Sequence, residues 1–181
     1  MSTRASALLL TGPVGAGKTT LAVEIGEILR DAGQAHAVIE LDWLAWCEPP
    51  AGSPETRRQL VVENLAATLR NYEAADIRRF VLAGSIVSGE HLAAIRSTLD
   101  GIPLEVIRIS VPADVLVMRT EKRDVGRKTL ESTDQAAAFA EVVSAAVPDC
   151  VEVENDSADI SRTARRVLAK TSWKELAAST S

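Results

Sequence analysis

One segment of the chain has the residue types and spacing of a phosphate-binding loop. Residues 12–19 read Gly-Pro-Val-Gly-Ala-Gly-Lys-Thr and match the pattern G-x-x-x-x-G-K-[ST] at every fixed position. Glycines let successive backbone N–H groups turn toward one anion, and the helix that follows adds its own unpaired N–H groups. Lys18 can reach the β- and γ-phosphates, and the Thr19 hydroxyl can bind Mg²⁺. We predict a nucleotide site formed by Gly12, Val14, Gly15, Ala16, Gly17, Lys18, Thr19 and Thr20, with Lys18 also catalytic.

A carboxylate follows the second predicted strand. The apolar run at residues 35–41 predicts this strand, and Asp42 comes directly after it. Ligands bind at the carboxyl ends of parallel strands, where Asp42 could accept a proton from an attacking hydroxyl or help to hold Mg²⁺. The alternative is an ordinary aspartate that caps the next turn. We predict a catalytic and metal-binding role for Asp42, and Glu40, on the same face of the strand, is a weaker candidate.

A basic segment follows the fourth predicted strand in an otherwise acidic chain. It contains Arg119, Lys122, Arg123, Arg127 and Lys128. Arg119 and Arg123 are four residues apart and share one face if the helix continues through them. The segment could bind phosphate charge, or it could be a solvated helix end with local ion pairs.

The elements that must position these residues alternate regularly between strand and helix. Parallel βαβ units with right-handed crossovers follow from that order, so we predict an α/β fold with a five-stranded, doubly wound parallel sheet. Residues 1–181 would form a single domain, with a lid at about 119–132. The predicted strands are 7–10, 35–41, 79–83, 104–111 and 150–154, and the predicted helices are 18–31, 55–75, 89–99, 113–122, 134–146 and 158–170.

Composition limits the class of protein. The chain has 181 residues, 46% hydrophobic and only 3% aromatic, so an aliphatic core is expected. Its net charge of −5 argues against a nucleic-acid or membrane-surface partner. Cys47 and Cys150 belong to no metal-binding or disulfide pattern, and no signal or membrane-spanning segment is recognised. We expect a cytoplasmic monomer or homodimer.

The chain resembles the nucleoside-monophosphate-kinase-like group of P-loop proteins, which includes adenylylsulfate, shikimate and gluconate kinases and antibiotic phosphotransferases. The resemblance rests on residues 12–20, on Asp42 and on the arginine-bearing segment after the fourth strand. It implies an ATP- and Mg²⁺-dependent kinase with a small-molecule acceptor. It also implies that the basic segment is a lid, in which Arg119 contacts the nucleotide and the catalytic arginine is Arg123 or Arg127.

Within that group the chain looks most like adenylylsulfate kinases. Those enzymes tend to carry an asparagine in the helix before the third strand, as at Asn64, and a Phe-Ile-Ser-Pro-like turn after that strand, where residues 85–88 lie here. This chain lacks the phenylalanine and the proline of the turn, so the acceptor is not carried over. Shikimate kinases are less similar, because Ala83, Gly84 and Ser85 replace their glycine-rich substrate loop.

Two further features bear on function. The third strand ends without a carboxylate and no [NT]KxD signature is present, which favours an ATP-dependent kinase over a motor or a switch GTPase. A nucleotide-binding ATPase or regulator without an acceptor is the alternative. Trp43, Trp46 and Tyr72 would line the acceptor pocket or cover the core. His36 and His91 have no sequence partners and are assigned no role.

Overall fold

The buried first strand explains the layered architecture. β1 (Ser6–Thr11) is apolar at consecutive positions, and its side chains alternate between two hydrophobic cores. Leu8 and Leu10 belong to one core, whereas Ala7 and Leu9 belong to the other. A strand covered on both faces occupies the middle of a sheet with helices on each side.

In the computed structural model, the described residues are 4–47, 54–112, 114–116, 118–119, 133–155 and 159–178. The other strands are β2 (His36–Glu40), β3 (Arg79–Ala83), β4 (Leu104–Ser110) and β5 (Val151–Glu154). The helices are α1 (Lys18–Asp31), α2 (Pro54–Ala74), α3 (Gly89–Thr98), α4 (Thr133–Ala146) and α5 (Ile160–Ala169), with 3₁₀ helices at Leu41–Ala45 and Lys174–Ala178. These bounds confirm the predicted elements to within two residues. Residues 114–116 and 118–119 are helical, and the rest of the helix predicted at 113–122 lies outside the described residues.

All strand pairings are parallel, and the strand order is β2-β3-β1-β4-β5. α1 and α5 pack in the core on one face of the sheet, and α2 and α3 pack in the core on the other. The predicted five-stranded, doubly wound α/β sheet is therefore confirmed. β1 lies where the direction of winding reverses, and the crevice outside its carboxyl end is where such sheets bind ligands.

Residues near the two ends of the chain contact each other at the sheet. Trp173 is buried against the α1 side, and its indole nitrogen donates a hydrogen bond of 3.0 Å to the Ser6 hydroxyl at the start of β1. Trp173 thus packs the segment after α5 against the sheet. Among the described residues, no helix has the length and apolar character needed to cross a membrane.

Candidate active site

The loop between β1 and α1 has a backbone path that only glycine accommodates at its key positions. Gly12 has φ +154°, and a Cβ there would lie 2.4 Å from the carbonyl oxygen of Ile109 on β4. Gly17 has φ +84°, and its Cβ would lie 2.6 Å from Nδ2 of Asn155. The left-handed region disfavours L-residues with side chains, and both close approaches leave no room for one. The loop is thus pressed against β4 and against the residue that follows β5.

Lys18 and Thr19 begin α1 at the mouth of this loop. Lys18 is only 8% exposed, and its ammonium donates a hydrogen bond of 3.0 Å to the Pro13 carbonyl across the loop. The Thr19 hydroxyl donates a hydrogen bond to the Glu40 carboxylate at the end of β2. Of the other predicted loop residues, Ala16 is buried, Val14 and Gly15 are half-buried, and Thr20 is exposed.

The two carboxylates at the end of β2 have different surroundings. Glu40 is the last residue of the strand and contacts Thr19, whereas Asp42 lies in the 3₁₀ helix Leu41–Ala45 and is exposed. The prediction that the strand continues to residue 41 is wrong, because the chain turns into the 3₁₀ helix directly after Glu40. Burial raises the pKa of Glu40, and the charge of Asp42 raises it further. The hydrogen bond from Thr19 and the charge of Lys18 lower it, but the net shift is upward. The weaker sequence candidate thus contacts the loop directly.

Asn155 was missed from the sequence, although it supports the loop. It follows β5, is 2% exposed, and its amide Nδ2 donates a hydrogen bond of 2.9 Å to the Ala16 carbonyl. Its backbone N–H is bonded to Ser110 at the end of β4, which fixes its position. Its place just after a parallel strand was the available signal, because side chains at that edge face the ligand crevice.

Arg119 reaches the same side of the loop. Its guanidinium donates hydrogen bonds of 3.3 Å to the Gly15 carbonyl and 3.4 Å to the Asn155 carbonyl. Burial lowers the pKa of Arg119. The other predicted lid arginines, Arg123 and Arg127, and the remainder of the lid at 120–132 lie outside the described residues.

The turn after β3 docks on the opposite side of the loop. The Ser85 hydroxyl donates a hydrogen bond of 2.9 Å to the Gly12 carbonyl. The backbone N–H of Ile86 donates one of 3.0 Å to the hydroxyl of Thr11, which is fully buried. The turn that leads to α3 is thus hydrogen-bonded to the loop and to the end of β1.

The three aromatic residues that follow β2 in sequence differ in their exposure. Trp43 and Trp46 are 71% and 69% exposed, and their rings meet edge to face at a centroid distance of 6.3 Å. Asn64 on α2 donates a hydrogen bond of 2.6 Å to the Leu44 carbonyl between them. Tyr72 instead packs against the core beneath α2. It lies near the end of α2 that leads into β3 and covers the core, which is one of the two positions that the sequence allowed.

No protein-family model matches this chain, and no curated protein matches it by sequence. Solved structures do match over nearly its whole length. The tunicamycin resistance protein of Deinococcus radiodurans is 16% identical with a TM-score of 0.66, over 92% of this chain and 95% of that one. Shikimate kinase from Acinetobacter baumannii, in complex with shikimate, is 17% identical with a TM-score of 0.63, over 91% and 92%.

The APS kinase CysC of Mycobacterium tuberculosis, in complex with AMPPNP and APS, is 19% identical with a TM-score of 0.60, over 91% of this chain and 96% of that one. The scores of these three structures are similar, so they do not single out adenylylsulfate kinase. What they share is architecture. The chain therefore has the α/β fold that these three structures share, as the alternation of its strands and helices predicted.

Proposed function

We propose that this chain is an ATP-dependent phosphotransferase that acts on a small-molecule acceptor. The observation that carries the proposal is the arrangement at the end of β1. A buried lysine lies inside a glycine-rich loop, and a threonine beside it contacts a strand-end carboxylate. A fold shared with solved shikimate and APS kinases supports the same conclusion. A cytoplasmic location, a single domain and the absence of nucleic-acid or membrane partners stay predictions from the sequence.

The loop supplies the nucleotide side of the reaction. Its backbone N–H groups and the start of α1 would bind the β- and γ-phosphates, because they present unpaired donors and the positive end of a helix dipole. Lys18 would exchange its bond to Pro13 for phosphate oxygens and balance the charge that develops during transfer. Arg119, held at the Gly15 and Asn155 carbonyls, would contact the nucleotide beyond the phosphates.

The residues present fit Mg²⁺, because hydroxyl and carboxylate oxygens are the donors that this ion prefers. Thr19 would hold it through its hydroxyl, with Glu40 beside it. The bound ion would neutralise charge on the phosphates. In this assignment Glu40 acts beside the metal ion, whereas Asp42 acts on the acceptor.

Asp42 is our candidate for the residue that orients or deprotonates the acceptor hydroxyl. It is exposed at the carboxyl edge of the sheet, two residues beyond Glu40 and close enough for its charge to act on that residue. Trp43 and Trp46 follow it with exposed rings, which could stack on an acceptor. Arg123 and Arg127 stay catalytic candidates by resemblance alone.

The test is acceptor-stimulated release of ADP from Mg·ATP. Shikimate, D-gluconate, APS and tunicamycin are suitable first acceptors. We expect one class of acceptor to raise turnover at least about tenfold, and Lys18→Met to abolish the increase. Lys174→Ala, which changes an exposed lysine far from the loop in sequence, is the matched control and should behave as wild type.

Turnover by Lys18→Met at the wild-type rate would contradict the mechanism. ATP hydrolysis that no acceptor stimulates would instead favour a nucleotide-binding ATPase or regulatory module. The two outcomes separate failure of the loop chemistry from failure of the kinase assignment.

A further inference from the structure

A cavity of about 300 Å³ lies outside the proposed active site. It is lined by the first residues of β4, by the segment that leads into β5, by α3 and by the residue that caps the end of α5. All strand pairings are parallel, and the phosphate loop follows the carboxyl end of β1. The amino ends of β4 and β5 therefore lie at the opposite end of the sheet from that loop.

The cavity is present because β4 begins before β5. The first residue of β5, Val151, is paired with Ile107, so residues 104–106 of β4 have no described strand beside them on that side. The wall that faces this space is apolar and continuous with the core on the α2 and α3 side. Its members are Leu92, Val106, Val147 and Cys150.

Two of the charged side chains that line the cavity have partners of their own. Glu105 accepts hydrogen bonds from the backbone N–H and the hydroxyl of Ser172. The Lys170 ammonium donates one of 3.1 Å to the Glu152 carbonyl on β5. An ammonium group carries three donors, so Lys170 keeps two for a ligand.

Two other charged side chains of the cavity have no partner in the part of the chain that the structure describes. Arg96, in the last turn of α3, and Asp149, just before β5, are exposed and make no side-chain hydrogen bond or ion pair with a described residue. A guanidinium binds a carboxylate through two parallel hydrogen bonds, and a carboxylate accepts hydrogen bonds from an ammonium group. The cavity thus offers binding groups of both signs beside an apolar wall.

We propose that this cavity is a second ligand site, which binds a small zwitterion with an apolar body, such as an α-amino acid with a hydrophobic side chain. The ligand's carboxylate binds Arg96 and Lys170, its ammonium group binds Asp149, and its side chain packs on the apolar wall. The volume is at the lower end of the range of about 300–1,000 Å³ for small-ligand sites, which suits an amino acid better than a nucleotide. The proposal does not depend on the proposed function, because the site lies away from the phosphate loop.

Protection of a thiol provides the test, because the chain contains only two cysteines. Cys150 lines the cavity, whereas Cys47 is exposed after the 3₁₀ helix that follows β2. L-Leucine and L-phenylalanine are the probes. In Cys47→Ser, a probe at about ten times its Kd should slow the labelling of Cys150 by iodoacetamide about tenfold, because only the empty cavity exposes the thiol. In Cys150→Ser, the labelling rate of Cys47 should stay unchanged.

Calorimetry measures which groups of the ligand are recognised. Isocaproate lacks the ammonium group of L-leucine and isoamylamine lacks its carboxylate, so each should bind about tenfold more weakly than L-leucine. Arg96→Gln and Asp149→Asn should each weaken the binding of L-leucine by a similar factor. Arg70→Gln, at an exposed arginine on α2, is the matched control and should leave the Kd unchanged.

Labelling of Cys150 that neither amino acid slows would overturn the proposal. An unchanged Kd for L-leucine in Arg96→Gln would do the same, because the ligand's carboxylate would then lie elsewhere. Isocaproate that binds as tightly as L-leucine would show that Asp149 recognises no ammonium group, and the assignment of a zwitterion would be wrong.

Discussion

Replacing Gly17 with alanine measures how tightly the phosphate loop is pressed against Asn155. The left-handed backbone at φ +84° costs an alanine about 1–2 kcal/mol. The new Cβ would lie 2.6 Å from the Asn155 amide nitrogen, which must retreat by about 0.8 Å to reach ordinary contact at 3.4 Å. That movement breaks the buried 2.9 Å hydrogen bond to Ala16, a further loss of about 1–3 kcal/mol. Gly17→Ala should therefore destabilise the protein by about 2–5 kcal/mol.

A double-mutant cycle isolates the contact between these two residues. Asn155→Ala alone should cost about 1–3 kcal/mol, because it leaves the Ala16 carbonyl without its buried partner. In the double variant the colliding amide is absent, so Gly17→Ala then adds only its backbone strain of about 1–2 kcal/mol. The two losses should thus fall short of additivity by about 1–3 kcal/mol. Urea unfolding of the four proteins measures these free energies.

Gly33 is the matched control for this cycle. It has φ +66°, and an added Cβ would meet nothing within 4 Å, so Gly33→Ala carries strain without a collision. Its loss should add to that of Asn155→Ala within about 0.3–0.5 kcal/mol. Thermal unfolding should follow the same order, at roughly 2–4 °C per kcal/mol for a domain of this size. Additive losses for Gly17 and Asn155, or equal losses for Gly17→Ala and Gly33→Ala, would refute the reasoning.

Three further predictions concern side chains of the proposed site. Glu40→Gln keeps an oxygen for Thr19 but removes the charge, so it should raise the Mg²⁺ concentration needed for half-maximal turnover. Asp42→Asn should instead lower kcat about 10²–10⁴-fold and leave the Mg²⁺ requirement unchanged. Identical effects of the two substitutions would contradict the assignment of Glu40 to the metal and of Asp42 to the acceptor. Arg119→Ala removes the bonds to Gly15 and Asn155 and should weaken ATP binding about tenfold by calorimetry. Arg119→Lys should recover part of that affinity, and an unchanged Kd in Arg119→Ala would show that Arg119 does not contact the nucleotide.

Local patterns in the sequence were sufficient to predict the fold. The predicted helix at residues 18–31 agrees with α1 at both ends, because the glycine-rich loop, the apolar face and the Gly33 stop are all encoded within a short stretch. The strand predicted at residues 7–10 is β1, and the alternation of strands and helices predicted parallel winding.

Only the tertiary structure decided which side chains face the loop. Asn155 and Ala16 are 139 residues apart, and they meet because β1 and β4, and β4 and β5, pair in one particular register. Glu40 and not Asp42 contacts Thr19, because Glu40 is the last residue of β2 whereas Asp42 lies in the 3₁₀ helix that follows. The sheltered ring nitrogens of His91 and the exposed ring of Trp43 likewise depend on how distant elements pack. The sequence alone determined the phosphate loop, whereas its neighbours are set by strand order and register, which no local pattern encodes.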